Sequence, residues 1–262
     1  MRREERVKKA SVALMSLGLV LALCSGCPLP GPCITAEQLQ QVYQAAIKDA
    51  EVAEPGEIST RLTAITPHNT HLIWEGAAGM SRVLVVTWTS WTGYDNLVGK
   101  SIRVDDLAKS VETSRDTWVT VAPELQDFCG RQCLDSTNMT LRVEQLLGLP
   151  PHGEKTRFVA FWVNVDDLFR PSPDPEVSDH EAELDIPASP RFVTVSAEHA
   201  DWFDALKETS YGPDGYPWTR LGYTYDWGHP FCRFGLSEFV IWSGATVDVE
   251  SVTLNDDFWK QG

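Results

Sequence analysis

The chain has 262 residues, 37 acidic and 22 basic, for a formal charge of −15 at neutral pH. A field of that sign repels nucleic acid and anionic lipid, which argues against nucleic acid as a partner. Hydrophobic residues make up 43% and charged residues 23%, which excludes wholesale disorder and supplies enough apolar surface for a real core.

Arg2, Arg3, Arg6, Lys8 and Lys9 give a basic start, followed by an apolar run from Val12 to Leu23 and then Cys24-Ser25-Gly26-Cys27. A charged start, a short apolar run and small residues before a cut site make a secretory signal. The run is too short to span a bilayer, which needs roughly 20 apolar residues. Ser25-Gly26-Cys27 resembles the lipobox of bacterial lipoproteins, in which the cysteine is lipidated and becomes the new N-terminus. Cys24 stands where that motif usually has Leu. The resemblance implies a signal peptide over 1–26, a lipidated Cys27 and membrane attachment through the N-terminal lipid. Pro28 follows, where an inner-membrane retention signal would have Asp, so the implied destination in a Gram-negative host is the outer membrane. Removing 1–26 takes away five basic and two acidic residues, so 17 basic and 35 acidic remain, a charge of −18.

Pro28, Pro30 and Pro32 stiffen residues 27–33 into a tether. Thr35 and Gln38 form a capping-box pattern, and Leu39, Val42, Tyr43, Ala46 and Ile47 repeat at helical spacing. The spacing predicts an N-terminal helix within 34–54, ending before Pro55-Gly56. From 55 to 262 the pattern reads as one domain without internal repeats. Val83–Trp88 and Thr117–Val121 read as strands, and Phe158–Val165 as the best central strand. Glu124–Cys129 and Leu141–Leu147 read as helices, as does Ala197–Thr209 with Ser196 as its cap. Phe192–Val195 reads as a short strand, and Glu238–Ile241 with Thr246–Thr253 as a closing pair turning about Ser243-Gly244. Strands and helices come in mixed order, without regular βα alternation. The expected fold is therefore α+β with a mostly antiparallel or mixed sheet.

Six cysteines are present. With Cys24 removed and Cys27 lipidated, Cys33, Cys129, Cys133 and Cys232 remain. An even set in an oxidising compartment suggests disulfides. Helical i, i+4 spacing favours Cys129–Cys133 and, by elimination, Cys33–Cys232.

The run Arg170–Pro187 carries Asp174, Glu176, Asp179, Glu181, Glu183 and Asp185. Pro171, Pro173 and Pro175 predict an extended, solvated segment there rather than a calcium loop, and no metal site is expected. Tyr216–Gly228 places Trp218, Arg220, Tyr223, Tyr225 and Asp226 together. Aromatics with one cation and one carboxylate can build a ligand pocket, and Arg220 can clamp an anion.

The segment Glu238–Val249 resembles the closing strands of ADP-ribosyltransferases. Glu238 begins a strand, Gly244 ends a turn six residues later, and Val247 and Val249 alternate after it. Leu236 stands where the arginine-modifying branch has a second Glu. The resemblance implies that Glu238 acts as a catalytic carboxylate toward NAD, with Arg220 as the upstream cation. Two functions stay open on this sequence. One is a lipid-anchored envelope protein that binds a ligand or partner, its cofactor unknown. The other is an exported NAD-using enzyme.

Overall fold

The computed structural model describes residues 34–104, 116–187 and 193–260. The signal, Cys27, the tether, Cys33 and Phe192 lie outside the described residues. The first helix, α1 (Ala36–Ala50), opens on the capping box read from sequence: Thr35 accepts from the Gln38 amide, and the Gln38 side chain accepts from the Thr35 amide. Tyr43, Ala46, Ile47 and Ala50 form its buried face.

Strands β1 (Val83–Thr89), β2 (Ser101–Arg103), β3 (Thr117–Val121), β4 (Arg157–Val163), β5 (Leu168–Phe169), β8 (Phe239–Ile241) and β9 (Thr246–Leu254) form one sheet in the order β2-β9-β4-β1-β3-β8-β5. Every pairing in it is antiparallel. A separate hairpin joins β6 (Tyr223–Tyr225) to β7 (Phe234–Ser237). Thr35–Gly262 is one compact unit of α+β class.

Alternation along the strands divides the core. Val83, Val85, Val159, Phe161 and Val163 face one side with Val119, Val121, Phe239, Ile241, Val247 and Val249. Val86, Trp88 and Phe158 face the other side. There they meet α2 (Ala122–Gly130), α3 (Ser136–Leu146) and α5 (Asn255–Phe258) through Leu125, Cys129, Met139, Val143 and Phe258. Burying each large aliphatic side chain contributes about 1.5–3 kcal/mol. A bulge in β9 adds Glu250 between the residues opposite Ala160 and Phe161. The extra residue shifts parity, so Val249 and Val252 both pack on the first side. Helix α4 (Ala197–Ser210) is capped by Ser196, as expected, and buries Phe203.

Two expectations fail here. Phe239–Ile241 and Thr246–Leu254 are strands, with Glu238 just outside the first, but they do not pair with each other. β8 lies between β3 and β5, whereas β9 lies between β2 and β4. Ser243-Gly244 forms a turn in which the Ala245 amide donates to Trp242 O, but with every pairing antiparallel β8 and β9 run in the same sense, with three strands between them in the sheet order. Val193–Val195 is irregular rather than a strand. No helix of the described residues is long and apolar enough to cross a membrane.

Candidate functional site

The turn Trp218–Gly222 sets the geometry. Arg220 and Gly222 both adopt positive φ, 62° and 72°. The Thr219 hydroxyl donates to Tyr223 O and accepts from the Leu221 amide, which locks the turn. At Gly222 a β-carbon would meet the stem of Arg170, so only glycine fits both the conformation and the space.

Arg170 follows β5 and is wholly buried. Its Nε donates to Glu176 O at 2.9 Å, and its Nη2 donates to Asp179 O at 3.1 Å. The guanidinium also lies 5.3 Å from the centroid of the Phe239 ring. These bonds fold the acidic segment back onto the domain. Pro171, Ser172, Pro173 and Asp174 are buried, and the Val177 and His180 carbonyls accept from the Ile65 and Leu62 amides. The extended, solvated loop expected for this stretch is thus corrected. A buried guanidinium needs acceptors, and this segment supplies them from its own carbonyls.

Two further carboxyls reach the same centre. Glu124, in the first turn of α2, accepts from the Thr63 hydroxyl. Glu238 sits at the junction of β7 and β8, and Arg170 is the cation acting on it. Burial pushes Glu238 up to about 8, against the pull of Arg170. It pushes Glu124 up to about 7, against the Ser237 amide and Arg170. Arg170 itself is lowered by burial and held up by Asp179, Asp174, Glu124 and Glu176. Among the described residues Arg170 Nη1, Glu124 Oε2 and Glu238 Oε1 are buried without a hydrogen-bond partner. A carboxyl that titrates near neutrality beside a fixed cation suits proton transfer, provided a substrate can reach it.

Access is the missing element. Glu238 is 7% exposed and is not among the residues lining the neighbouring concavity. A small concavity nearby is lined by Ala50, Glu57, Thr219, Tyr223, Tyr225 and Arg233. Its cavity volume of about 10 Å³ is room for roughly one water molecule, far below the range of about 300–1,000 Å³ typical of pockets for drug-sized ligands. Tyr223 connects the two places: its ring borders the cleft, and burial raises its phenol with help from the Glu57 and Glu238 charges.

The structure scatters the other candidate residues. Arg220 does not serve Glu238. Its Nη2 donates to Glu51 O at 2.7 Å, at the end of α1, and its guanidinium lies over the Tyr211 ring. Trp218 donates to Pro171 O and packs on Phe203, away from the cleft. Asp226 is engaged in a two-pronged pair with Arg142 at 2.9 and 2.6 Å, which pins the hairpin to α3. Tyr223 and Tyr225 alone of the expected group line the concavity.

The cysteine pairing also differs. Among the described residues Cys129, Cys133 and Cys232 carry free thiols, and Cys33, the expected partner of Cys232, lies outside them. The reason is local: α2 ends at Gly130, so Cys133 lies beyond the helix on which i, i+4 spacing would apply. Cys129 is buried in the core, and burial pushes its thiol up to about 12, whereas Cys133 is exposed.

Arg170 escaped the sequence reading. Its signal was available: it is the one Lys or Arg between Arg157 and Arg191, placed at the head of an acidic run. A lone cation among many carboxylates is a candidate for burial. No protein-family model, curated protein sequence or solved structure matches this chain.

Proposed function

We propose that this chain is an exported, lipid-anchored envelope protein that binds a ligand or partner at the surface around Arg233, beside Tyr223 and Tyr225, without catalysis. The basic start, the short apolar run and Ser25-Gly26-Cys27 support the anchor. One observation favours binding over catalysis: Glu238, the carboxylate an enzyme would need, is buried, while Arg233, on the neighbouring concavity, is exposed.

Two measurements test the proposal. Cys27→Ser should move the protein from the membrane fraction to the soluble one; unchanged membrane association with an unmodified N-terminus rejects the anchor. Thermal shifts of the full chain with nucleotides, sugars and small anions should reveal a stabilising ligand whose effect is lost in Arg233→Ala. A ligand whose shift survives that substitution binds elsewhere.

The enzyme reading keeps one observation in its favour, the raised Glu238 carboxyl facing Arg170. If it holds, NAD cleavage by the wild-type chain disappears in Glu238→Gln while the fold remains. Absence of NAD turnover in the wild type removes it.

A further inference from the structure

The tip of the β6–β7 hairpin presents an aromatic side chain to the outside. Phe231 is 94% exposed, the highest value among the large hydrophobic residues described. An isolated exposed apolar residue is ordinary, but this one is held in place. The Asp226 amide donates to Arg233 O, and His229 Nδ1 accepts from the Phe231 and Cys232 amides. Arg233 Nη1 donates to His229 O, and Asp226 is clamped by Arg142. The tip is therefore a built protrusion.

Its charge is unlike that of the rest of the chain. From Trp227 to Leu236 there is no acidic residue, and Arg233 is the charged one, in a protein with 37 Asp and Glu. An acid-free stretch is where so acidic a domain can approach lipid headgroups at least electrostatic cost.

Position supplies the third argument. The Tyr223 hydroxyl donates to Glu57 O, the Tyr225 hydroxyl to Asp49, and the Trp227 ring lies 5.7 Å from that of Tyr43. The hairpin thus runs antiparallel to α1, and beyond Trp227 it heads toward the helix start. Thr35 precedes that start and is eight residues after Cys27. Eight residues span at most about 29 Å fully extended. A lipid on Cys27 would keep this end of the domain close to the bilayer.

We propose that the Gly228–Cys232 tip inserts Phe231 into the interfacial region of the membrane to which Cys27 tethers the chain. This rests on the anchored reading given above. An aromatic ring flanked by Arg and His suits that depth, with the ring among acyl chains and the polar groups at headgroup level. The domain then rests on the lipid surface by its hairpin.

Cys232 offers a direct probe, because it is exposed and adjacent to Phe231. The lipidated full chain, carrying Cys33→Ser and Cys133→Ser, is labelled there with an environment-sensitive fluorophore and reconstituted into phosphatidylcholine vesicles. Nitroxide on the lipid acyl chains should quench the label, and Phe231→Ser should abolish the quenching while the protein still floats with the vesicles. Mass spectrometry of the N-terminal peptide reads the anchor separately. A lipidated, vesicle-bound protein whose label is not quenched overturns the hairpin contact and leaves the anchor intact, as does quenching that survives Phe231→Ser. An unmodified Cys27 removes the anchor and the proposal with it.

Discussion

Gly222 stands directly against the stem of Arg170: a β-carbon there would lie 2.5 Å from Arg170 Cδ and 2.8 Å from Cγ. The glycine also holds φ at +72°. Gly222→Ala therefore meets both steric and backbone strain, and the neighbour that must move is a fully buried cation. The expected loss is at least about 2 kcal/mol, from a left-handed non-glycine residue plus overpacking. Urea unfolding of the variant checks it; a midpoint within error of wild type contradicts the packing of this turn on Arg170.

Stability should fall as pH rises through neutrality. Glu124 and Glu238 have ordinary carboxyl values near 4.5 when unfolded and about 7 and about 8 when folded. The folded chain thus binds more protons between those values. Its stabilisation from these groups is complete below about pH 4.5 and drains away up to about pH 8, at up to about 1.4 kcal/mol per pH unit for each group. Unfolding free energies measured from pH 5 to 9 should decline, and Glu238→Gln should flatten the decline. A rising profile, or one unchanged by that substitution, rejects the assignment.

Arg170→Met should be among the most damaging single changes. It removes the cation from a centre that retains Glu124, Glu238, Asp174 and Asp179. Breaking a buried charge set by deleting one partner typically costs about 3–5 kcal/mol. The variant paired with Glu238→Gln should recover part of the loss, which a double-mutant cycle measures; strict additivity shows that the two groups do not interact.

Thiol chemistry separates the cysteines. Under native conditions iodoacetamide should modify Cys133 and Cys232 and spare Cys129, which becomes reactive only in denaturant. Both exposure and the raised Cys129 thiol point that way. Peptide mapping reads the outcome; a cross-linked Cys129–Cys133 peptide from the exported protein reverses it.

Local signals were legible in the sequence. Thr35 with Gln38, Ser196 and the apolar run of β4 each act through near neighbours, and each formed the element expected. Pairing was not legible. Ser243-Gly244 signals a turn, but nothing in Thr246–Thr253 states that its partners are β2 and β4 rather than β8. The site failed for a related reason. Glu238 and the tyrosines were visible as residue types, yet which cation faces Glu238 depends on a turn at Gly222 folding over a segment fifty residues earlier. Proline and acid content described the Arg170–Pro187 loop as solvated because composition counts charges and does not reveal one guanidinium gathering the backbone around itself.

The separation of β8 from β9 also orders events in time. β2 has no sheet neighbour except β9, and β5 has none except β8, among the described residues. Both partners lie after residue 238. A growing chain can assemble β1, β3 and β4 early, but its two flanks stay unclosed until β8 and β9 arrive. Such long-range closure is slow. For a polypeptide proposed to leave the cell interior, a sheet that cannot be finished before Phe239–Leu254 is made keeps the preceding chain loose enough to be threaded.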